Sequence, residues 1–141
     1  MKLLSKIRFK KLLLAVVGVL VFTFGILQAI PYGRDHSNPP VRAEPVWASD
    51  QTRDLAVKAC FDCHSNESVW PWYSTIAPVS WLVYKDVVDG REHLNFSEWD
   101  RRQEADEAAE AVLEGEMPAG MYTWTHPDVR LSAADRAALA Q

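Results

Sequence analysis

Acidic side chains are absent from the first thirty residues of this 141-residue chain, and residues 12–30, LLLAVVGVLVFTFGILQAI, carry no charge at all. An uncharged run of nineteen residues excludes a solvated surface helix. As a helix rising about 1.5 Å per residue it spans roughly 28 Å, close to the hydrocarbon thickness of a bilayer. Lys2, Lys6, Arg8, Lys10 and Lys11 precede it. A cleaved signal peptide has the same basic start, but its apolar region is usually about 7–15 residues and ends in small residues at a cleavage site. The run here is longer, and LQAIPYG offers no A-x-A pattern. The sequence therefore predicts an uncleaved signal anchor: a basic cytoplasmic flank (1–11), a single span (12–30) in the inner membrane, and an exported remainder in the periplasm or at the cell exterior.

An excess of basic charge is also missing where it would matter for nucleic acid. Beyond Ile30 lie all nineteen acidic residues and only ten of the fifteen Lys and Arg, a formal charge of −9. Phosphate recognition needs a basic patch, so no nucleic-acid partner is expected. The same charge suits plain solubility, and it also suits a redox partner with a basic docking surface.

Strand signals are few: β-branched runs are short and no Asn-Gly or Asp-Gly hairpin turn occurs. Residues 31–46, with four prolines and little apolar content, read as a semi-extended spacer. From Trp47 to the end, four stretches have helical patterning. The first starts at Ser49 or Asp50 and runs through Cys63; the second, from Pro78, stops at Gly90. The third takes Ser97 as N-cap and Gly115 as its stop, and the last takes Ser132 as N-cap with Asp135 three residues on. The expected fold is a small all-α domain over residues 47–141, with six tryptophans that either fill a core or surround something large, flat and apolar.

Cysteine is scarcest of all. The chain has two, both in ACFDCH, which excludes a disulfide scaffold and leaves three readings of Cys60, Cys63 and His64. A redox disulfide wants a stabilised thiolate on a strand-to-helix turn, and that context is missing. Zinc wants four ligands at closed spacing, and neither a second cysteine pair nor a paired histidine follows. C-x-x-C-H as the attachment site of one covalent haem c uses all three residues: the thiols reach two vinyl groups and His64 becomes an axial iron ligand. For the other axial position Met117, followed by Pro118, is the first candidate, with His126, His93 and an open site as rivals and Met121 as a neighbour. Trp70, Trp72, Tyr73 and Trp81 are aromatic residues that suit a porphyrin edge, and Arg91 is a candidate propionate partner.

The run from CFDCHSNESVWPWYS to GREHLNFSEW, followed by GEMP and HP, resembles the haem-binding-domain family of small exported bacterial proteins. That family is similar to membrane-anchored monohaem c-type cytochromes. The resemblance implies a cytochrome-c-like domain, covalent haem on Cys60 and Cys63, axial ligation by His64, and a pocket built from the W-P-W-Y and M-P segments. Electron carriage without catalysis is the function expected. A haem-based sensor or peroxidase-like protein, with an open or displaceable sixth site, is the alternative.

Overall fold

The computed structural model of the chain describes residues 2–141, with side chains from residue 6 onward; Met1 of the basic flank lies outside the described residues. Seven α-helices are described: α1 (Lys2–Ala29), α2 (Asp50–Ala59), α3 (Phe61–His64), α4 (Val79–His93), α5 (Ala105–Glu114), α6 (Gly120–Thr125) and α7 (Ala133–Leu139). Trp72–Thr75 and Pro127–Val129 form 3₁₀ turns. Among the described residues there is no strand, only one isolated bridge between Ala43 and Glu98. The all-α expectation holds, with more and shorter pieces than four.

The chain divides into two compact units. The first contains the residues up to Asp35 together with Trp72–Tyr84; the second contains His36–Pro71 and Lys85–Gln141. In the first unit, α1 includes a stretch, Lys6–Ala29, long and apolar enough to cross a membrane, and none of its apolar window is buried. Near its end, Gln28 bonds a backbone as another strand would. Its amide donates to Ala77 O (2.8 Å) and its carbonyl accepts from Ala77 N (3.0 Å). Gly33 then turns the chain with φ +74°, and a Cβ there would lie 2.7 Å from Ser80 O, so only glycine fits. Tyr32 meets Tyr84 edge-on at 5.3 Å.

The second unit is framed by capped helices. Ser49 Oγ accepts from Thr52 N at the start of α2, and Ser132 with Asp135 forms a full capping box on α7. Gly115 ends α5 in the left-handed region, φ +81°, as its type predicts. The apolar core gathers Ala56, Phe61, Leu94 and Phe96, with Trp47, Trp99, Ala108 and Leu139 packed around them. Phe96 stacks between aromatic neighbours, 5.6 Å from Phe61 and 5.8 Å from Trp99.

Beside this core lies a polar one. Ser65, Asn95 and Ser97 are among the most deeply buried side chains. Asn95 donates to Asn66 Oδ1 (2.9 Å), Asn66 N donates to Ser97 Oγ (2.9 Å), and Ser97 N donates to Asn95 Oδ1 (2.9 Å). Ser97 therefore does not cap a helix. Residues 97–104 form turns instead, and α5 starts only at Ala105. Gly90 is likewise not a stop, because α4 runs through it to His93. The proline-bearing residues 36–46 are tied down in this unit. Arg42 N and Ala43 N donate to Ser97 O, and Asn66 donates to Pro40 O. Arg91 donates to Asn38 Oδ1 (2.7 Å), Ser65 O (2.7 Å) and Ser68 Oγ (2.9 Å), so its guanidinium knits the same segment to the loop after α3.

Ser97→Ala strands the Asn66 N–H without its acceptor in a buried place. The expected loss is about 1–3 kcal/mol of stability, read as a lowered urea midpoint with an unchanged slope.

Candidate functional site

The helical pattern that runs through ACFDCH breaks at Cys60. Its backbone (φ −126°, ψ −33°) ends α2 and begins α3, and its carbonyl accepts from both Cys63 N (3.1 Å) and His64 N (2.8 Å). The two residues between the cysteines are used in opposite ways. Phe61 is buried in the aromatic stack, while Asp62 faces outward and accepts hydrogen bonds from Val69 N (3.0 Å) and Tyr122 Oη (2.6 Å). The motif is thus pinned on both sides independently of either thiol. Neither Asp62 nor Tyr122 is singled out by the sequence; an acid between two cysteines and a tyrosine sixty residues away give no local signal.

Cys60 and Cys63 are half-buried free thiols. Burial pushes both up to about 12; for Cys60 the neighbouring Cys63 adds to this, and for Cys63 the Asp86 and Asp62 carboxylates do. Both therefore stay protonated at neutral pH, the opposite of the stabilised thiolate that disulfide exchange requires. Among the described residues no group of three His, Cys, Asp or Glu side chains converges as a metal site.

His64 is held by the end of α4. Its Nδ1 lies 2.9 Å from Gly90 O and 3.1 Å from Leu94 O. Carbonyl oxygens only accept, so Nδ1 carries the proton, and a neutral ring then has its lone pair on Nε2. Burial also lowers the pKa of His64, against a smaller opposing effect of the two carbonyls. A histidine whose Nδ1–H is anchored on backbone carbonyls has the tautomer and ring orientation of a metal ligand. His64 O accepts from Phe96 N (2.8 Å), so main chain and side chain are both fixed.

Gly90 makes that anchoring geometrically possible. A Cβ at this position would lie 2.6 Å from Cys63 O and 3.2 Å from Cys63 Cβ, closer than real contacts allow. The missing side chain lets α4 approach the C-x-x-C-H turn backbone to backbone, which brings its own carbonyl within reach of His64.

The remaining candidates are dispersed. Met117 follows Gly115 at the end of α5, its N donates to Ala111 O (3.1 Å), and its side chain is 41% exposed. Eight residues, the last six of them α6, separate it from His126, which is half-buried and stacks on Tyr122 at 4.4 Å. Through the Tyr122–Asp62 bond, the segment holding Met117 and His126 is tied to the C-x-x-C-H motif. His93 is engaged elsewhere, in an exposed pair with Glu104 (2.6 Å) that raises its pKa. Trp70 stacks on His36 (4.3 Å), and its buried Nε1–H has no acceptor among the described residues. Trp72 and Tyr73 meet edge-on at 5.8 Å and belong to the first unit. Arg91 is committed to the backbone and side chains named above.

Two protonated thiols beside an oriented neutral imidazole fit a haem better than they fit zinc or a redox disulfide. The haem-binding domain family's sequence model matches residues 22–141, and the chain belongs to that family. It is thus a haem protein. No curated protein and no solved structure matches the chain.

Gly90→Ala should force α4 away from Cys63 and His64. Expected are a lower unfolding midpoint and reduced haem incorporation per chain, measured by the absorbance of the purified protein against its total peptide. A second expectation concerns pH. Because the folded pKa of His64 lies below its ordinary 6.5, the unfolded chain binds that proton more readily. Stability of the haem-free chain therefore falls as pH drops from about 6.5 toward the folded value. The lowered carboxylates Glu44, Glu98 and Asp135 act only at more acidic pH, and the raised His93 acts above 6.5 with the opposite sign. Urea midpoints at pH 7 and pH 5 should differ less in His64→Gln than in the parent chain.

Proposed function

We propose that this protein is a membrane-anchored monohaem c-type cytochrome that carries single electrons on the extracytoplasmic side and catalyses no reaction of its own. The observation that carries this reading is the anchoring of His64 Nδ1 on Gly90 O and Leu94 O beside two free thiols. Cys60 and Cys63 would hold the porphyrin covalently through thioethers, and His64 would supply one axial nitrogen from Nε2. Met117 is the preferred second axial ligand, because a thioether there raises the iron's potential and closes the site to small molecules. The bound group supplies one-electron chemistry, its iron alternating between ferric and ferrous states.

The protein's part is to orient and insulate. The Asn66–Asn95–Ser97 network and Arg91 fix the loop after His64, which limits reorganisation around the imidazole. Trp70 Nε1–H offers a donor that a carboxylate of the bound group can satisfy. The length and apolar character of α1 support a location in the inner membrane, with Lys6, Arg8, Lys10 and Lys11 on the cytoplasmic side. The net charge of −9 beyond Ile30 favours a redox partner with a basic docking face, and electron exchange should slow as salt is added.

The test is a spectrum of detergent-extracted protein, air-oxidised and then dithionite-reduced, followed by acid–acetone extraction. Haem that stays with the polypeptide, together with a sulfur-to-iron charge-transfer band that disappears in Met117→Ala, supports the proposal. Haem released by the solvent refutes covalent attachment. Rapid, complete carbon monoxide binding by the reduced parent protein refutes closed His/Met ligation and favours a sensor or peroxidase-like role.

A further inference from the structure

The first unit contains an inverted pattern of burial. Trp72–Tyr84, WYSTIAPVSWLVY, has thirteen residues and no charge. Its buried positions are small: Ser74, Ala77 and Ser80, the last only 2% exposed. None of its large apolar side chains is fully buried: Trp72 at 76%, Val79 at 44% and Leu82 at 41% are exposed, and Tyr73, Ile76, Trp81, Val83 and Tyr84 are half-buried. A segment folded for water does the reverse, since burying large apolar side chains is the main source of stability. Small residues inside and large apolar ones outside is the arrangement of protein surrounded by lipid, where small side chains let backbones approach closely.

What the segment packs on points the same way. Ala77 makes its reciprocal pair with Gln28, one residue before α1 ends, and Ser80 lies against Gly33 in the turn that follows. The polar amide of the half-buried Gln28 is thereby satisfied within the protein, as a polar group beside lipid must be. Tyr32, Tyr84 and Trp81 stand at this junction, and Trp72 and Tyr73 belong to the same unit, the two residue types enriched where a bilayer meets water. Arg34, which donates to Gln28 O, supplies the cation expected at the headgroups. The family match opens at residue 22, inside α1, so the end of this helix is part of the family's domain rather than a separate leash.

We infer that Trp72–Tyr84 is a membrane-interface element: its exposed face, with Trp72, Val79 and Leu82, is covered by the lipid of the bilayer that α1 crosses. The inference rests on reading α1 as a membrane span. The occupant is the bilayer rather than a protein because the patch is continuous with a bare apolar helix, lacks charge, and displays tryptophan and tyrosine side by side. Trp72 is then a lipid contact, a role distinct from lining a haem pocket.

The experiment uses the full-length, haem-loaded chain in nanodiscs of phosphatidylcholine and phosphatidylglycerol. A fraction of the lipid carries a diazirine on the acyl chain next to the headgroup. After illumination, cross-linked peptides are mapped by mass spectrometry. Cross-links in α1 and in Trp72–Tyr84 are the expected result. Cross-links in α1 with none in Trp72–Tyr84 overturn the interface element and leave the span standing. Absence of cross-links from both overturns the span and the inference with it.

Discussion

Two carbonyls at the end of α4 and one imidazole N–H organise the second unit. His64 needs a proton on Nδ1 to meet Gly90 O and Leu94 O, and that requirement settles which nitrogen keeps its lone pair. Meeting it demands that α4 come within backbone contact of the Cys60–His64 turn, which only a residue without Cβ permits. One glycine thus supplies both the clearance and the acceptor. The polar network of Asn66, Asn95 and Ser97 then holds the two flanking loops at that spacing. A hydrogen-bonded core is chosen over an apolar one here because it fixes direction as well as distance.

The C-x-x-C-H motif shows a division of labour within five residues. Phe61 faces the aromatic core, Asp62 reaches Val69 and Tyr122, and the two thiols remain free for a bound group. The hold on the motif therefore runs through Phe61 and Asp62 and not through the thiols themselves.

Much of the site was legible from residue types and spacing. Ser49, Ser132 and Gly115 act at helix ends as their chemistry dictates, and all of the uncharged run but its last residue, Ile30, lies within a single helix. Ser97 misleads because serine serves equally as a helix cap and as a buried turn donor, and only its partners across the fold distinguish the two. Gly90 misleads for a related reason: the absence of a side chain suits a helix stop and a helix contact alike. The helical pattern through Cys63 could not show the break at Cys60, since apolar periodicity continues across it. Trp72 and Tyr73 follow the haem motif closely in sequence, yet they fold with the end of α1, a long-range pairing made by Gln28 and Ala77 that no local pattern encodes.

The half-burial of Cys60 and Cys63 carries a consequence for biogenesis. Both sulfurs sit beneath a turn clamped from two sides, by Phe61 in the core and by Tyr122 on Asp62. A rigid macrocycle reaches two such atoms far more readily while the chain is still open. Under covalent attachment, loading and folding therefore compete in time. A chain that closes first withdraws its own thiols, and in that case the yield of loaded protein would be governed by the order of attachment and folding rather than by affinity for the cofactor.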